Sequence, residues 1–270
     1  MLWDCIMFNG ELDMLECRFK FFSEAGIPVK HIIVESPYTH RGEPRIPVFT
    51  DNLKRYKAWE QDILYHCIGG MPERDPWHNE HRQRDGALPH LSSFAAPEDV
   101  VLIADVDEFP PPGWLYYLDI DPAVLAAQRG RVAFRQRLMM YAVDWEYPGG
   151  HVCSVAVRWD VLAKVASLAM VRDMRMSLPI IEGGFHLTWL GGVEAQKRKL
   201  AVTCHALVPG VAARGDEMTP EEAHIISSGS AYQHGVHHSG KLMLDPVEVD
   251  ETWPGYIYRR ECPESWWRPR

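Results

Sequence analysis

Residues 29–36, Val29-Lys30-His31-Ile32-Ile33-Val34-Glu35-Ser36, form a near-continuous β-branched run. That is the pattern of a strand buried on both faces. Ahead of it lie an apolar, strand-like piece from Trp3 to Phe8 and a segment from Glu11 to Glu24. In that segment Leu12, Leu15, Phe19 and Phe22 recur every three or four residues. The spacing predicts a helix with one apolar stripe, and Ala25-Gly26-Ile27-Pro28 stops it. Strand, helix and strand at this spacing make a βαβ unit, so the chain should build an α/β fold on a mixed, mostly parallel sheet.

The same reading runs on down the chain. Pro37 to Pro47 reads as a loop at the C-terminal edge of the second strand, Asp51 to Glu60 as a short helix and Asp62 to Cys67 as a strand. Trp77 to Phe94 should be helical, at least until Pro89. Asp121 to Gln128 reads as a helix ended by Gly130. Val132 to Tyr141 reads as a strand leading to a loop at Pro148-Gly149-Gly150. Val152 to Trp159 should be a strand, Val161 to Met170 a helix, and Ile180 to Leu190 strand-like around Gly183-Gly184. Beyond Gly192, Glu194 to Val202 and Thr219 to Ser227 look helical and polar. The expected organisation is a domain over residues 1–200 with an extension over 201–270 packed on it.

The sharpest strand is Val100-Val101-Leu102-Ile103-Ala104-Asp105, and Val106, Asp107 and Glu108 follow it at once. On an extended backbone Asp105 and Asp107 would point the same way. Two carboxylates together at the C-terminal edge of a parallel sheet repel unless a positive charge sits between them. A divalent cation answers this, since Mn²⁺ or Mg²⁺ takes hard oxygen ligands and shares them with substrate phosphates. That edge is also where open α/β sheets bind ligands. A solvated strand-to-loop turn would carry the same three letters.

Bulk properties exclude some partners. The net charge of −9 argues against a duplex nucleic-acid partner. Local basic groups, Arg82/Arg84 and Lys197/Arg198/Lys199, suit a phosphate pocket or a solvated helix face. Arg82 and Arg84, two apart on a helix, cannot both point inward. The six cysteines are scattered without a CxxC pair, which argues against structural zinc and a disulfide framework. The opening residues reach Asp4 without a basic region or a long apolar run. A cytoplasmic protein with no signal peptide and no membrane span is therefore the expectation. GxGxxG and GxxxxGK[ST] are absent, which weakens dinucleotide and P-loop readings.

The segment VVLIADVDEFP resembles the metal-binding segment of glycosyltransferase family 17. DCIMFNGELDMLECRF, HIIVESPYTHRGEPRIPVF, WHNEHRQRD and EGGFHLTWLGG resemble further pieces of that family in the same order, from residue 4 to about 200. The family includes the enzyme that adds the bisecting β-1,4-linked N-acetylglucosamine to N-glycans. The resemblance implies a GT-A-like fold and inverting transfer from a UDP-sugar, most often UDP-N-acetylglucosamine, to a sugar hydroxyl of a glycan or glycoconjugate. It implies that Asp105 and Asp107 bind metal and diphosphate, and that Glu35, Ser36 and Thr39 lie by the nucleotide. Arg84 would face the phosphates or brace Glu80, and His186 would supply a third metal ligand.

Inverting transfer also needs a carboxylate within reach of the acceptor hydroxyl. Glu182 is the first candidate, with Asp144 and Glu146 beside it. His234, His237 and His238 invite a metal reading, but Gly235 and Gly240 favour a loop. Cys204-His205 reads as packing, and the late aromatics Trp253, Tyr256, Tyr258, Trp266 and Trp267 as packing or an acceptor surface. Two other functions fit the same residues: a metal-dependent phosphohydrolase or nucleotidyltransferase, and a non-catalytic carbohydrate-binding protein.

Overall fold

β1 (Leu2–Met7) and β2 (Val29–Glu35) pair in parallel, with the helix α1 (Leu12–Glu24) crossing between them. This is the architecture in a computed structural model of the chain, which describes residues 1–113, 130–202, 219–235, 237–240 and 242–269. β3 (Ile63–Cys67) adds to β2, and β4 (Val100–Asp105) to the other side of β1, both in parallel. Beyond β4 the sheet becomes mixed. β7 (Trp145–Arg158) runs antiparallel to β4, and β6 (Arg131–Met140) antiparallel to β7. β8 (Ile180–Thr188) is parallel to β6, and β5 (Glu108–Phe109) antiparallel to β8. The strand order is β3-β2-β1-β4-β7-β6-β8-β5, with β9 (Asp245–Pro246) on β7.

Alternation along the strands makes two cores. Leu2 and Ile6 of β1, Ile33 of β2 and Leu102 of β4 face one side, against Leu15, Phe19 and Phe22 of α1. Trp3, Cys5, Ile32, Val101 and Ile103 face the other, with Ala87, Leu91, Leu162 and Leu168. A sheet covered on both faces needs the continuous apolar runs seen in the sequence, and each such side chain, once buried, contributes about 1.5–3 kcal/mol. Trp253, Tyr256, Trp266 and Trp267 lie in the same cluster as α1 and β1. The late aromatics other than Tyr258 are thus buried rather than displayed to solvent. Among the described residues, no helix is long and apolar enough to cross a membrane.

Several expected elements are divided. The helix expected over 77–94 is two, α2 (Pro76–Asp85) and α3 (Leu88–Phe94). The break falls at Gly86, where a Cβ would come within 2.6 Å of Val34 and 2.7 Å of Ile68, so the close approach of α2 to the sheet requires glycine. The helix expected over 161–170 is also two, Trp159–Val165 and Leu168–Asp173. They part at Ala166 (φ 55°) and Ser167, whose side chain accepts from Met170 N. The loop expected at Pro148-Gly149-Gly150 instead lies inside β7, at a register shift of the β6–β7 ladder; the chain reverses between β6 and β7, at 141–144. The helix expected over 121–128 and the pair Cys204-His205 lie outside the described residues.

Gly184 fixes how β5 meets β8. Its φ is +87°, and a Cβ there would sit 2.2 Å from the Phe109 carbonyl oxygen and 3.0 Å from Pro110 backbone atoms. The missing side chain here admits another strand at close range. Gly184→Ala should destabilise the protein by about 3 kcal/mol, from overpacking against rigid backbone plus a strained φ. An unchanged urea midpoint would rule this out.

Candidate functional site

β4 ends at Asp105, the chain turns over Val106–Asp107, and it re-enters the sheet at Glu108, which sits opposite His186 of β8. The aspartates are therefore set by a turn, not by alternation along an extended strand as the spacing suggested. Arg18 of α1 holds this turn from beneath. It is fully buried, donates to the Asp4 carboxylate from Nε (2.8 Å) and Nη2 (2.5 Å), and donates from Nη1 to the carbonyls of Asp105 (3.2 Å) and Glu108 (2.5 Å). His31 Nδ1 lies 2.8 Å from Asp4 Oδ2, the oxygen that Arg18 Nε also engages.

Burial alone would push the Asp4 carboxyl up, but Arg18 and His31 bring it from 3.8 down to about 2. A depressed carboxylate stabilises the fold above its unfolded value, so this contribution is whole above pH 4. It is lost as the pH falls toward 2, and amounts to about 2 kcal/mol. Acid titration of stability should show the loss in that window, and Asp4→Asn should flatten it. A wild-type curve level from pH 5 to 2 would contradict the assignment.

Each aspartate already has two cationic partners. Arg84 Nη2 of α2 lies 3.0 Å from Asp105 Oδ1, and Arg172 Nη2 of the helix Leu168–Asp173 lies 3.5 Å from Oδ2. His186 Nε2 lies 3.5 Å from Asp107 Oδ1. Lys199 Nζ, from the helix Gly192–Val202, lies 3.1 Å from Asp107 Oδ2 and donates to Thr188. Burial would raise both carboxyls. Arg84 and then Arg172 hold Asp105 well below the usual range against repulsion from Asp107, and Lys199 and His186 do so for Asp107. Burial disfavours an imidazolium at His186, yet the Cys153 sulfur and the Asp107 carboxylate keep it protonated well above the ordinary histidine value.

Three buried atoms at this site lack hydrogen bonds among the described residues: Asp105 Oδ1, Arg84 Nη1 and Arg172 Nη1. The 3.0 Å contact of Arg84 with Asp105 is a charge pair outside hydrogen-bond alignment; the same Nη2 donates to Glu80 at 2.9 Å. An undonated carboxylate oxygen beside a second carboxylate suits a hard divalent cation, and spare guanidinium N–H groups suit phosphate oxygens. The donor set therefore fits a metal shared with a phosphate. A second grouping adjoins it: Glu108, Cys153 and His186 offer ligand atoms within 4.8 Å of one another. Arg172 already engages Glu108, and Cys153 Sγ lies 3.3 Å from His186 Nδ1.

The other sequence candidates have partners of their own. Glu35 is buried, accepting from Val48 N (2.7 Å), Phe49 N (3.2 Å) and Tyr65 hydroxyl (3.0 Å). Ser36 Oγ accepts from Tyr38 N and Thr39 Oγ1 from Glu43 N, so all three shape the loop after β2. Arg84 points inward, whereas Arg82 donates to the carbonyls of Gly69 and Met71. Glu182 is exposed and pairs with Arg135. Asp144 pairs with Arg268 and Glu146 with Arg137. His238 Nδ1 lies 3.0 Å from the Tyr141 hydroxyl, and the His237 ring packs against His238 at a 37° tilt.

Sequence reasoning missed Arg172, Glu11 and Cys153, gave Glu108 no role, and left Lys199 as one of three basic residues. Glu11 was findable: it follows β1 at the ligand-facing edge. Its carboxyl is raised by burial, against the pull of Lys199.

Residues 1–143 match the family model described as glycosyltransferase family 17. No curated protein matches the chain. Among solved structures, the catalytic domain of Drosophila beta1,4galactosyltransferase 7, in complex with xylobiose, is similar at 9% identity and a TM-score of 0.28. The match covers 68% of this chain and 66% of that one, just under two thirds of its length. A likeness of that degree carries no argument about activity.

Proposed function

The chain belongs to glycosyltransferase family 17, and from that premise we propose that it is a metal-dependent, inverting transferase that moves N-acetylglucosamine from UDP-N-acetylglucosamine to a glycan hydroxyl. The observation that carries this reading is the trio of unsatisfied atoms at the β4 edge, one carboxylate oxygen and two guanidinium N–H groups. They match the two halves of a metal-bound diphosphate.

In this reading Asp105 and Asp107 would hold Mn²⁺ or Mg²⁺, with His186 as a third ligand that gives up its extra proton when the ion binds. The bound ion would supply Lewis-acid stabilisation of the leaving diphosphate. Arg84 and Arg172 donate to diphosphate oxygens, and Lys199 adds charge beside Asp107, where burial of the groups strengthens each interaction. The loop carrying Ser36 and Thr39, pinned by Glu35, lines the nucleotide side. The acceptor hydroxyl's proton passes to a carboxylate on the face opposite the leaving group. Glu182 is the first candidate for that base, because it is exposed, whereas Asp144 is buried; each would have to leave an arginine, Arg135 or Arg268.

A thermal-shift panel of nucleotide sugars with and without Mn²⁺ tests this. UDP-N-acetylglucosamine plus Mn²⁺ should stabilise the fold by about 2.7 kcal/mol at one hundred times its Kd, and EDTA should abolish the gain. Phosphate release from simple esters without an acceptor would favour the hydrolase. Sugar affinity indifferent to EDTA would favour a binding module.

A further inference from the structure

Asp105 is neutralised within the protein, yet the groups that neutralise it keep donors to spare. Arg84 and Arg172 come from separate helices and converge on opposite oxygens of the one carboxylate, at 3.0 and 3.5 Å. Their side chains are only 5% and 9% exposed. Each has a buried Nη1 without an acceptor among the described residues. A buried unpaired donor costs about 1–3 kcal/mol, so a pair serving only to hold Asp105 would be wasteful twice over. Each arginine also has a second carboxylate in place, Glu80 for Arg84 and Glu108 for Arg172. Releasing Asp105 therefore strands neither.

We infer that Arg84 and Arg172 are exchangeable counter-ions. Without ligand they hold Asp105; when a nucleoside diphosphate arrives, its oxygens take the guanidinium N–H groups while the metal takes the carboxylate. The inference rests on the reading of the site given above and deepens it, since it makes two binding events interdependent through Arg84 and Arg172. Metal alone must compete with two arginines for Asp105. Diphosphate alone meets arginines still drawn to that carboxylate. Bound together, each relieves the other's obstacle, and the coupling is reciprocal.

Mn²⁺ titrations followed by the electron paramagnetic resonance of the free ion read this directly, with and without UDP, corrected by the same titration lacking protein. In the wild-type protein UDP should tighten Mn²⁺ binding about tenfold, within the usual range of coupling between sites. Arg172→Gln and Arg84→Gln should each bind Mn²⁺ alone about tenfold more tightly than wild type, and bind UDP alone more weakly. Unchanged or weaker Mn²⁺ affinity in a folded variant would overturn the inference. So would Mn²⁺ and UDP binding that is independent in the wild type, a measurement that needs no variant. Wild-type protein that binds neither Mn²⁺ nor UDP would instead remove the metal–diphosphate reading beneath it.

Discussion

Asp105→Asn combined with Asp107→Asn should abolish Mn²⁺-dependent binding of UDP and lower transfer by about three orders of magnitude or more. Removing a single preorganised charge stabiliser from an active site typically costs 10²–10³ in rate, and here both proposed metal ligands go. Asparagine keeps the shape and tests charge alone. The fold should survive, because each cation at the turn keeps another partner: Arg84 has Glu80, Arg172 has Glu108, and Lys199 has Thr188. The two readouts therefore separate, with calorimetry for UDP and Mn²⁺ and thermal unfolding for the fold. A double variant that binds UDP as tightly in Mn²⁺ as the wild type would remove the aspartates from the proposed chemistry.

Arg18→Met should act through stability. Arg18 and Asp4 are both fully buried, and removing one partner of such a pair leaves an uncompensated charge at a cost of about 3–5 kcal/mol. The urea midpoint should fall accordingly. The companion variant Arg18→Met with Asp4→Leu should recover most of that loss, since apolar replacements of a buried ion pair are often neutral. Activity should not return with it. The carbonyls of Asp105 and Glu108 would still lack the guanidinium that holds them, and the Asp105–Asp107 turn would lose its support. Recovery of both stability and transfer in the companion variant would show that Arg18 does not position the turn.

The parallel half of the sheet was legible because burial writes itself into sequence. β1, β2 and β4 begin and end within a residue or so of their expected bounds, since strands covered on both faces need unbroken apolar runs. The helix breaks at Gly86 and Ala166 were not legible. One answers to Val34 and Ile68 of distant elements, and the other has no marker in its own residue type. Asp105 and Asp107 stood out in the sequence because they follow the clearest strand. Of their partners, Arg84 and His186 were named from the sequence, but Arg172 and Lys199 were not singled out, because they arrive from helices 67 or more residues later. In the structure Lys199 shares its helix face with buried Gln196, three residues earlier, while Lys197 is turned outward to Glu194.

β5 follows the aspartate turn at once but finds its hydrogen-bonding partner only in β8, at Phe185 and His186. During synthesis the aspartates therefore wait for a long stretch of chain before their surroundings exist. A product ending at residue 143 would contain the whole span matched by the family model and both aspartates, yet neither Arg172, His186 nor Lys199. Ligand competence should thus emerge late and abruptly in a series of lengthening chains, as loop closure over such separations delays non-local strand pairing.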